Sequence, residues 1–426
     1  MPRDQSGGDD LEPEEFDPAE VETTDGAWER AGTRSAHGWG RWLLLLLVIA
    51  VVALVVQHVQ PGDGPSASSA PTDRSTSGPT TSHVPAGRTG AVLQPPATAG
   101  PGRVVVRPGG PGVRRIPGRW SLLALTNDAV VRLDFAHDRV VETRLPALQS
   151  AGPVSFLATS AGAVVRPMDC VPGYLVPDDA PPHPLTGLLS HCGPAVPGPD
   201  PDAVWAMVGE GDHTAVALVT VDGRPDGPSL PMPDNVQGWI RPGGGGYPLL
   251  PTSGGVYAVR PGDYGVHPGG LRRITTGEVL AVGATGWLVV ECDGRNRCSR
   301  VVVDRASGRR RTLPGTDSAL ATGYDTSDGR ISPDGSYAAL IDGPDNGPDH
   351  LRLIDLRTGG TFTRPIGPVA GDSGAVVAWS PDGSRLFVAQ RRGEVLVVEP
   401  DHPRRRASLG LEIPGVAQLA VRRGAS

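Results

Sequence analysis

The sequence predicts an all-β fold, a β-propeller of seven blades, over residues 119–426. Two copies of the tetrapeptide SPDG begin at Ser332 and Ser380, 48 residues apart, and an alternating strand follows each copy. A repeat of about 40–50 residues built from four short strands is typical of a propeller blade. From residue 120 onward, strand-like runs alternate with Gly, Asp and Pro turns, and no segment has a helical period.

Residues 1–38 are predicted to be a disordered, acidic cytoplasmic tail. Residues 1–41 carry 11 acidic and 4 basic side chains, which accounts for the whole net charge of −7. Few apolar residues interrupt this stretch, so it has no surface with which to form a core. The remaining chain has 35 charges of each sign. Because no basic face is indicated, the charge pattern argues against a nucleic-acid partner.

Residues 39–59 are predicted to form a single transmembrane helix. Residues 42–56 are 15 uninterrupted apolar residues, fewer than the roughly 20 that usually span a bilayer. Trp39 and Gly40 extend the run, and the Arg41 side chain can reach the membrane surface. A cleaved signal peptide is the alternative, but the leader is long and the first small-residue pattern, 68–70, lies 14 residues past the run.

The arginines around this segment predict its orientation. Arg30, Arg34 and Arg41 precede the run, whereas the first arginine after it is Arg74. The positive-inside rule therefore predicts a single-pass protein of the cell membrane with a cytoplasmic N-terminus and an extracytoplasmic C-terminal domain. Residues 60–118, rich in Pro, Gly, Ser, Thr and Ala, are predicted to be a flexible extracytoplasmic linker.

The four cysteines are predicted to form two structural disulfides. An even number of cysteines in an oxidising compartment favours disulfides, and three pairings are possible. Cys292 and Cys298 flank the turn DGRNR, where cross-strand neighbours lie within disulfide distance. Cys170 then remains to pair with Cys192. His183 and His191 lie close to that second pair, but the spacing typical of zinc ligands is absent, so no cofactor is predicted.

The blade count comes from residues that open strand-like runs at intervals near one or two blade lengths. Six blades are the alternative if Trp205 and Trp239 belong to one large blade. The final apolar run, 416–421, has no complete blade after it, so we expect it to pair with the first blade and close the ring. The seven openings are Trp120, Phe156, Trp205, Trp239, Trp287, Ile331 and Trp379.

SPDG, the alternating strand behind it and the segment LRLIDLRTG at 351–359 together resemble the TolB-like/WD40-like propeller repeat. The resemblance is clear over roughly residues 329–400, and the GH…WD signature of true WD40 repeats is absent. It implies a propeller fold, and a family that mostly binds other proteins without catalysing a reaction. Fold resemblance alone does not fix function.

Two further patterns resemble a metal-binding loop and a protease motif. Asp342, Asp345 and Asp349 place three carboxylates in one loop and are weak candidates for a metal site, although the spacing of a calcium-binding EF-hand loop is missing and a β-turn is the simpler interpretation. GDSG at 371–374 matches the nucleophile motif of serine proteases, but no matching histidine segment accompanies it. No catalytic residue is therefore predicted.

These observations lead to one function and one alternative. The first is a membrane-anchored, extracytoplasmic propeller that acts as a non-enzymatic scaffold for a protein or other ligand of the cell envelope. The alternative is a lactonase-like hydrolase with its site in the central channel. An enzyme should place several Asp, Glu, His or Asn side chains at the strand ends that face the channel.

Overall fold

A computed structural model describes residues 91–92, 102–108, 116–146, 148, 153–209, 214–227, 229–233, 235–259, 271–295, 297–314, 329–343, 349–370 and 375–423. All of them lie in the unit that spans 85–426. They contain thirty β-strands and a single 3₁₀ turn, Gly187–Ser190. The described part of the chain is therefore all-β, as the sequence predicts.

The first fifteen strands are β1 (Ala91–Val92), β2 (Val104–Pro108), β3 (Trp120–Thr126), β4 (Ala129–Asp134), β5 (Arg139–Arg144), β6 (Val154–Thr159), β7 (Gly162–Pro167), β8 (Tyr174–Val176), β9 (His183–Pro184), β10 (Ala195–Pro197), β11 (Ala203–Val208), β12 (Ala215–Thr220), β13 (Leu230–Pro231), β14 (Arg241–Pro242) and β15 (Pro248–Thr252). The other fifteen are β16 (Gly255–Val259), β17 (Leu271–Thr275), β18 (Glu278–Val282), β19 (Gly286–Cys292), β20 (Cys298–Asp304), β21 (Arg310–Thr312), β22 (Gly329–Ile331), β23 (Tyr337–Asp342), β24 (His350–Asp355), β25 (Thr361–Pro365), β26 (Val377–Trp379), β27 (Leu386–Ala389), β28 (Glu394–Val398), β29 (Arg406–Glu412) and β30 (Val416–Arg423).

Within the described residues these strands form six hydrogen-bonded sheets. Sheets 2, 3 and 4 each consist of four antiparallel strands in chain order, β6–β9, β10–β13 and β14–β17. Sheet 5 has eight strands, because β18 of the run β18–β21 pairs in parallel with β22 of the run β22–β25. Sheet 6 contains β26–β29, with β1 added in parallel beside β29. Consecutive four-stranded antiparallel units are the topology of a β-propeller.

Sheet 1 joins the two ends of the described chain. Its order is β2-β5-β4-β3-β30, and the last strand pairs antiparallel with β3 from Trp120 opposite Arg423 to Thr126 opposite Val416. The prediction that the final apolar run pairs with the first blade is confirmed. Strand β2 lies within the predicted linker 60–118 but pairs with β5. The sheets therefore begin earlier in the chain than the predicted boundary at residue 119.

A charged network reinforces this closure. Arg132 of β4 is almost fully buried and forms an ion pair of 2.7 Å, between Nη1 and Oδ2, with Asp178 of the β8–β9 loop. Arg422 of β30 pairs with the same carboxylate oxygen. Arg132 also contacts Asp179, which Arg139 shares. The last strand is thus tied to both sheet 1 and sheet 2.

The hydrophobic core lies between neighbouring sheets. Strands β3 and β7 are buried at every position, so neither shows the polar and apolar alternation of a half-exposed strand. The reason is that neighbouring sheets cover both faces. The largest cluster contains Leu133 of sheet 1, Leu351 of sheet 5 and Phe387 of sheet 6. Trp120 and Phe387 meet across it, with ring centroids 5.5 Å apart.

Both SPDG turns have the same hydrogen bonds, which confirms that they are copies of one structural unit. The hydroxyl of fully buried Ser332 accepts a 3.0 Å bond from the Tyr337 amide, and that of Ser380 accepts a 2.9 Å bond from the Arg385 amide. Each serine also donates to its own turn aspartate at 2.5 Å. Gly335, at φ +76°, lies in the left-handed region, where a side chain would be strained.

Two buried tryptophans bind sheet 4 to its neighbouring sheets through their indole N–H groups. Trp205 donates to the Gly246 oxygen at 2.8 Å, and Trp287 donates to the Gly243 oxygen at 2.9 Å. Both acceptors lie in the β14–β15 loop of sheet 4, whereas the donors belong to sheets 3 and 5. Buried polar groups require such partners.

The strand positions of the predicted blade openings need a correction. Phe156, Ile331 and Trp379 lie on the first strands of their units, as predicted. In contrast, the prediction is wrong for three other openings, which lie on second strands, where a long indole can reach the neighbouring sheet or its core. These three are Trp120, Trp205 and Trp287.

Trp239 lies two residues before the start of β14, the first strand of sheet 4, whereas Trp205 lies on β11 of sheet 3. The two residues therefore do not belong to one sheet, which is the arrangement that a six-bladed count would require. Among the described residues, no helix is long and apolar enough to cross a membrane. The predicted tail 1–38 and the predicted spanning segment 39–59 lie outside the described residues.

Candidate functional site

The inner edge of the fold is made by the first strand of each four-stranded unit. Strand β30 contacts β6, β6 contacts β10 and β10 contacts β14. On the other side, β18 pairs with β22, β22 contacts β26 and β26 contacts β30. An open cavity of about 600 Å³ lies among these strands, lined by residues of β6, β10, β14, β22 and β30. This volume lies within the range of small-ligand sites.

Two polar side chains of this cavity form hydrogen bonds between neighbouring strands. Ser155 Oγ accepts a 2.9 Å hydrogen bond from the amide of Ala195, which joins β6 to β10. Gln418 Nε2 donates to the Val154 oxygen at 2.6 Å, which joins β30 to β6. These bonds link adjacent first strands.

Trp239 and Arg241 are the exposed aromatic and charged side chains among the described residues of the lining. The Trp239 side chain is 53% exposed, the largest exposed aromatic surface among the described residues. Arg241 is also exposed, and no ion pair or side-chain hydrogen bond joins it to a described residue. Arg330 of β22 adds a second guanidinium, which already interacts with other groups of the protein, among them the Gly329 oxygen at 3.4 Å from Nη1. The main-chain oxygen of Arg330 accepts a 3.0 Å hydrogen bond from Trp379 Nε1.

The cavity lining carries positive charge without acid or base groups. Among the described residues that line it there is no Asp, Glu or His. General acid–base catalysis needs a titratable side chain within hydrogen-bond reach of the substrate, and a serine nucleophile needs an adjacent base. The guanidinium groups and the exposed indole of this lining suit it to holding a negatively charged or aromatic group.

Buried Arg166 supports one edge of the cavity and was not identified from the sequence. Its guanidinium donates to the main-chain oxygens of His191 at 2.8 Å, of Pro194 at 3.0 Å and of Met207 at 3.0 Å. Burial lowers the pKa of Arg166 to about 10. Arg166 thereby fixes the loop that leads into β10. In the sequence Arg166 stands within a run of strand residues, and this pattern does not indicate that the residue holds a loop.

Both predicted disulfides are present. Cys170 is bonded to Cys192 and Cys292 to Cys298. The first bridge closes the segment next to Arg166, and the second lies at directly paired positions of β19 and β20. His183 and His191 are exposed. No group of three His, Cys, Asp or Glu side chains that could hold a metal ion occurs among the residues with described placement.

The structure gives separate roles to the two described members of the predicted aspartate cluster. Asp342 forms an ion pair with Arg352 on the adjacent strand. Asp349 Oδ2 accepts a 2.7 Å hydrogen bond from the Val369 amide. Asp345, and the GDSG motif at 371–374, lie outside the described residues. A metal role for the cluster remains a prediction.

No protein-family model matches the chain, and no curated protein matches it. Among solved structures it is similar to TolB from Acinetobacter baumannii, with 14% identity, 71% of this chain and 82% of that chain covered, and a TM-score of 0.38. It is also similar to apo AztD from Citrobacter koseri (12% identity, 72% and 98% covered, TM-score 0.42). A third similar structure is a protein described as a 6-phosphogluconolactonase from Bacteroides uniformis. Its sequence identity is 12%, 72% of this chain and 100% of that chain are covered, and the TM-score is 0.43.

Proposed function

We propose that this chain is an extracytoplasmic, seven-bladed propeller, anchored by residues 39–59, that binds a protein partner of the cell envelope without catalysing a reaction. The observation that carries the proposal is the lining of the central cavity. It offers an exposed tryptophan and two arginines, and its described members include no acid–base group.

Trp239 and Arg241 have the properties of an interface anchor. Tryptophan and arginine are enriched among the residues that supply most of the binding energy in protein interfaces. An unpaired guanidinium adds attraction for carboxylates and speeds association with an acidic partner. We therefore propose that the partner presents an acidic segment with an apolar or aromatic residue.

The seven-bladed count follows from treating sheet 5 as two units. Sheets 1, 2, 3, 4 and 6 each contribute one four-stranded unit, and the runs β18–β21 and β22–β25 contribute two. Each unit then contains or adjoins one of the seven predicted openings. The alternative function, a lactonase-like hydrolase, would need reactive groups from residues outside the described lining.

A capture experiment tests the proposal. Tagged full-length protein carries a benzophenone-bearing aromatic amino acid at position 239, which keeps an aromatic ring in place of the indole. It is irradiated in membranes of its own source and purified under denaturing conditions. We expect one envelope protein to be crosslinked, and we expect Arg241→Ala to reduce its yield. Arg224→Ala is the control, because Arg224 pairs with Asp222 at a highly exposed site away from the lining.

Two results would contradict the proposal. One is equal crosslinking of wild type, Arg241→Ala and Arg224→Ala, which would mean that contact at the cavity is nonspecific. The other is turnover of any member of a lactone and glycoside panel by the purified protein, which would establish the hydrolase alternative.

A further inference from the structure

First strands of neighbouring units contact each other elsewhere in the fold, but another strand takes part where sheet 4 meets sheet 5. There β18 contacts β16, the third strand of sheet 4. A cleft of about 320 Å³ lies between the two sheets. The walls are apolar side chains from both sheets, Pro242, Leu249, Val256 and Val279. Leu249 and Val279 belong to the same buried cluster, so the cleft cuts into the edge of the core.

This cleft and the central cavity share two lining residues, Arg241 and Pro242. Strand β14 consists of these two residues alone. One short strand therefore separates the two spaces, and a ligand bound at Arg241 has access to both. The cleft is a side branch of the candidate site.

Charge indicates which ligand the cleft suits. Its lining contains two charged residues, Arg241 and Glu278. Glu278 already interacts with another part of the protein, whereas Arg241 forms no ion pair with a described residue. The unpaired charge at the mouth of the apolar cleft is therefore positive.

Backbone chemistry disfavours a peptide inside the cleft. Pro242 and Pro251 have no amide N–H, so they cannot donate hydrogen bonds to an added strand. A peptide group buried without partners costs several kcal/mol in an apolar environment. A hydrocarbon tail has no such groups, and each buried CH₂ contributes about 0.8 kcal/mol.

We propose that the cleft between sheets 4 and 5 binds a free carboxylate with an unbranched apolar tail, such as a medium-chain fatty acid. The carboxylate pairs with the Arg241 guanidinium, which can bind both oxygens at once. The tail lies against Leu249, Val256 and Val279. This ligand is distinct from the protein partner proposed above, but both use Arg241, so the fatty acid competes with the partner.

Calorimetric titration tests this site. Full-length protein in nanodiscs of zwitterionic lipid is titrated with decanoate, and empty nanodiscs supply the background. We expect saturable binding of one decanoate per chain. Decyltrimethylammonium, which has the same tail and the opposite charge, should not bind. Arg241→Gln should weaken decanoate binding by about tenfold or more, the effect of a charge-assisted hydrogen bond.

A second variant tests where the hydrocarbon tail of the ligand binds. Val256 is half-buried in the wall of the cleft, so Val256→Phe should fill it and abolish decanoate binding while crosslinking of the partner at position 239 persists. A decanoate analogue with a diazirine at its tail gives a readout that does not depend on this variant folding. It should label the segments 248–259 or 278–282 of the wild-type protein.

The outcomes separate the two proposals. Equal affinity of decanoate and decyltrimethylammonium, unchanged affinity in Arg241→Gln, or labelling confined to other segments would overturn the fatty-acid site. None of these results would change the expected crosslinking of the protein partner. Conversely, decanoate binding without any crosslinked partner would overturn the protein-binding function and leave the cleft as the ligand site.

Discussion

The indole Nε1 of Trp379 donates a 3.0 Å hydrogen bond to the main-chain oxygen of Arg330. Trp379 belongs to β26 of sheet 6, and Arg330 belongs to β22 of sheet 5. A single side chain thus binds two neighbouring first strands and holds the backbone that carries one of the two arginines of the central cavity. Stability and site geometry are coupled at this bond.

We expect Trp379→Phe to lower the free energy of unfolding by about 1–3 kcal/mol, because it leaves a main-chain oxygen without its donor in a part-buried position. Chemical denaturation measures this change. Trp239→Phe is the matched control, since Trp239 is exposed and donates no hydrogen bond to a described residue, and its effect should stay within about 0.5 kcal/mol. Equal effects would show that the Trp379 bond contributes nothing specific.

The Asp178 carboxylate joins Arg132 and Arg422, and therefore joins the last strand to sheets 1 and 2. Asp178→Asn leaves Arg422 without this carboxylate and leaves the almost fully buried Arg132 with Asp179 alone. Removing one partner of a buried pair costs about 3–5 kcal/mol, but Asp178 is itself partly exposed, so we expect a loss of about 1–3 kcal/mol.

Arg224→Ala is the control for this closure prediction. The Arg224–Asp222 pair is highly exposed, and exposed pairs contribute about 0–1 kcal/mol. The melting temperatures of the two variants and of wild type provide the comparison. If Asp178→Asn melts no earlier than Arg224→Ala, the network does not hold the closure.

Stability should depend on pH through Asp134. Burial raises the pKa of this carboxyl, but hydrogen bonds from Arg139 and His137 lower it by more, and the resulting pKa lies below its ordinary value of 3.8. A carboxyl whose pKa is lower in the folded state stabilises the fold above its unfolded pKa and loses this contribution as pH falls through the folded pKa. We expect the free energy of unfolding to drop below about pH 4.

The test of the pH prediction is a series of urea unfolding curves from about pH 7 to about pH 3. Asp134→Asn should lose less stability than wild type on acidification, although it starts lower. Asp226→Asn, at an exposed position where no described residue bonds to the carboxylate, should retain the wild-type slope. Identical slopes for all three proteins would assign the acid dependence to other groups.

The two disulfides should differ in their effect on the site. Their cysteines are separated by 22 and 6 residues. The chain-entropy model then gives about 3 kcal/mol for Cys170–Cys192 and about 2 kcal/mol for Cys292–Cys298. Double serine variants measure both values. The Cys170/Cys192 variant alone should also weaken partner capture, since that bridge adjoins the loop held by Arg166.

Local patterns predicted the parts of the fold that depend on neighbouring residues. The SPDG turns could be predicted because Ser332 and Ser380 bond within their own turns, and Cys292–Cys298 because its cysteines flank one hairpin. The pairing of β30 with β3 followed from a terminal apolar run that needed a partner. Each of these features rests on a short segment with an unambiguous composition.

The candidate site could not be predicted because its residues carry no local signal. Arg241 stands in a strand of two residues followed by four glycines, a segment that reads as a loop. The partners of Arg166 lie 25–41 residues away, and Arg422 pairs with Asp178 across 244 residues. Such contacts depend on how the sheets are arranged, which hydrophobic periodicity does not specify. The strand position of Trp205 was missed for the same reason.

Partner binding should weaken with salt. If Arg241 and Arg330 attract an acidic segment, the association rate falls as ionic strength screens the attraction, and the Debye length shrinks from about 10 Å at 0.1 M to about 3 Å at 1 M. Surface plasmon resonance with the captured partner, from about 0.05 M to about 0.5 M salt, measures this slope. Arg241→Gln should flatten it, whereas Trp239→Phe should lower affinity at every salt concentration and leave the slope unchanged, because an aromatic contact carries no net charge. A wild-type slope of zero would mean that the two arginines take no part in recognition.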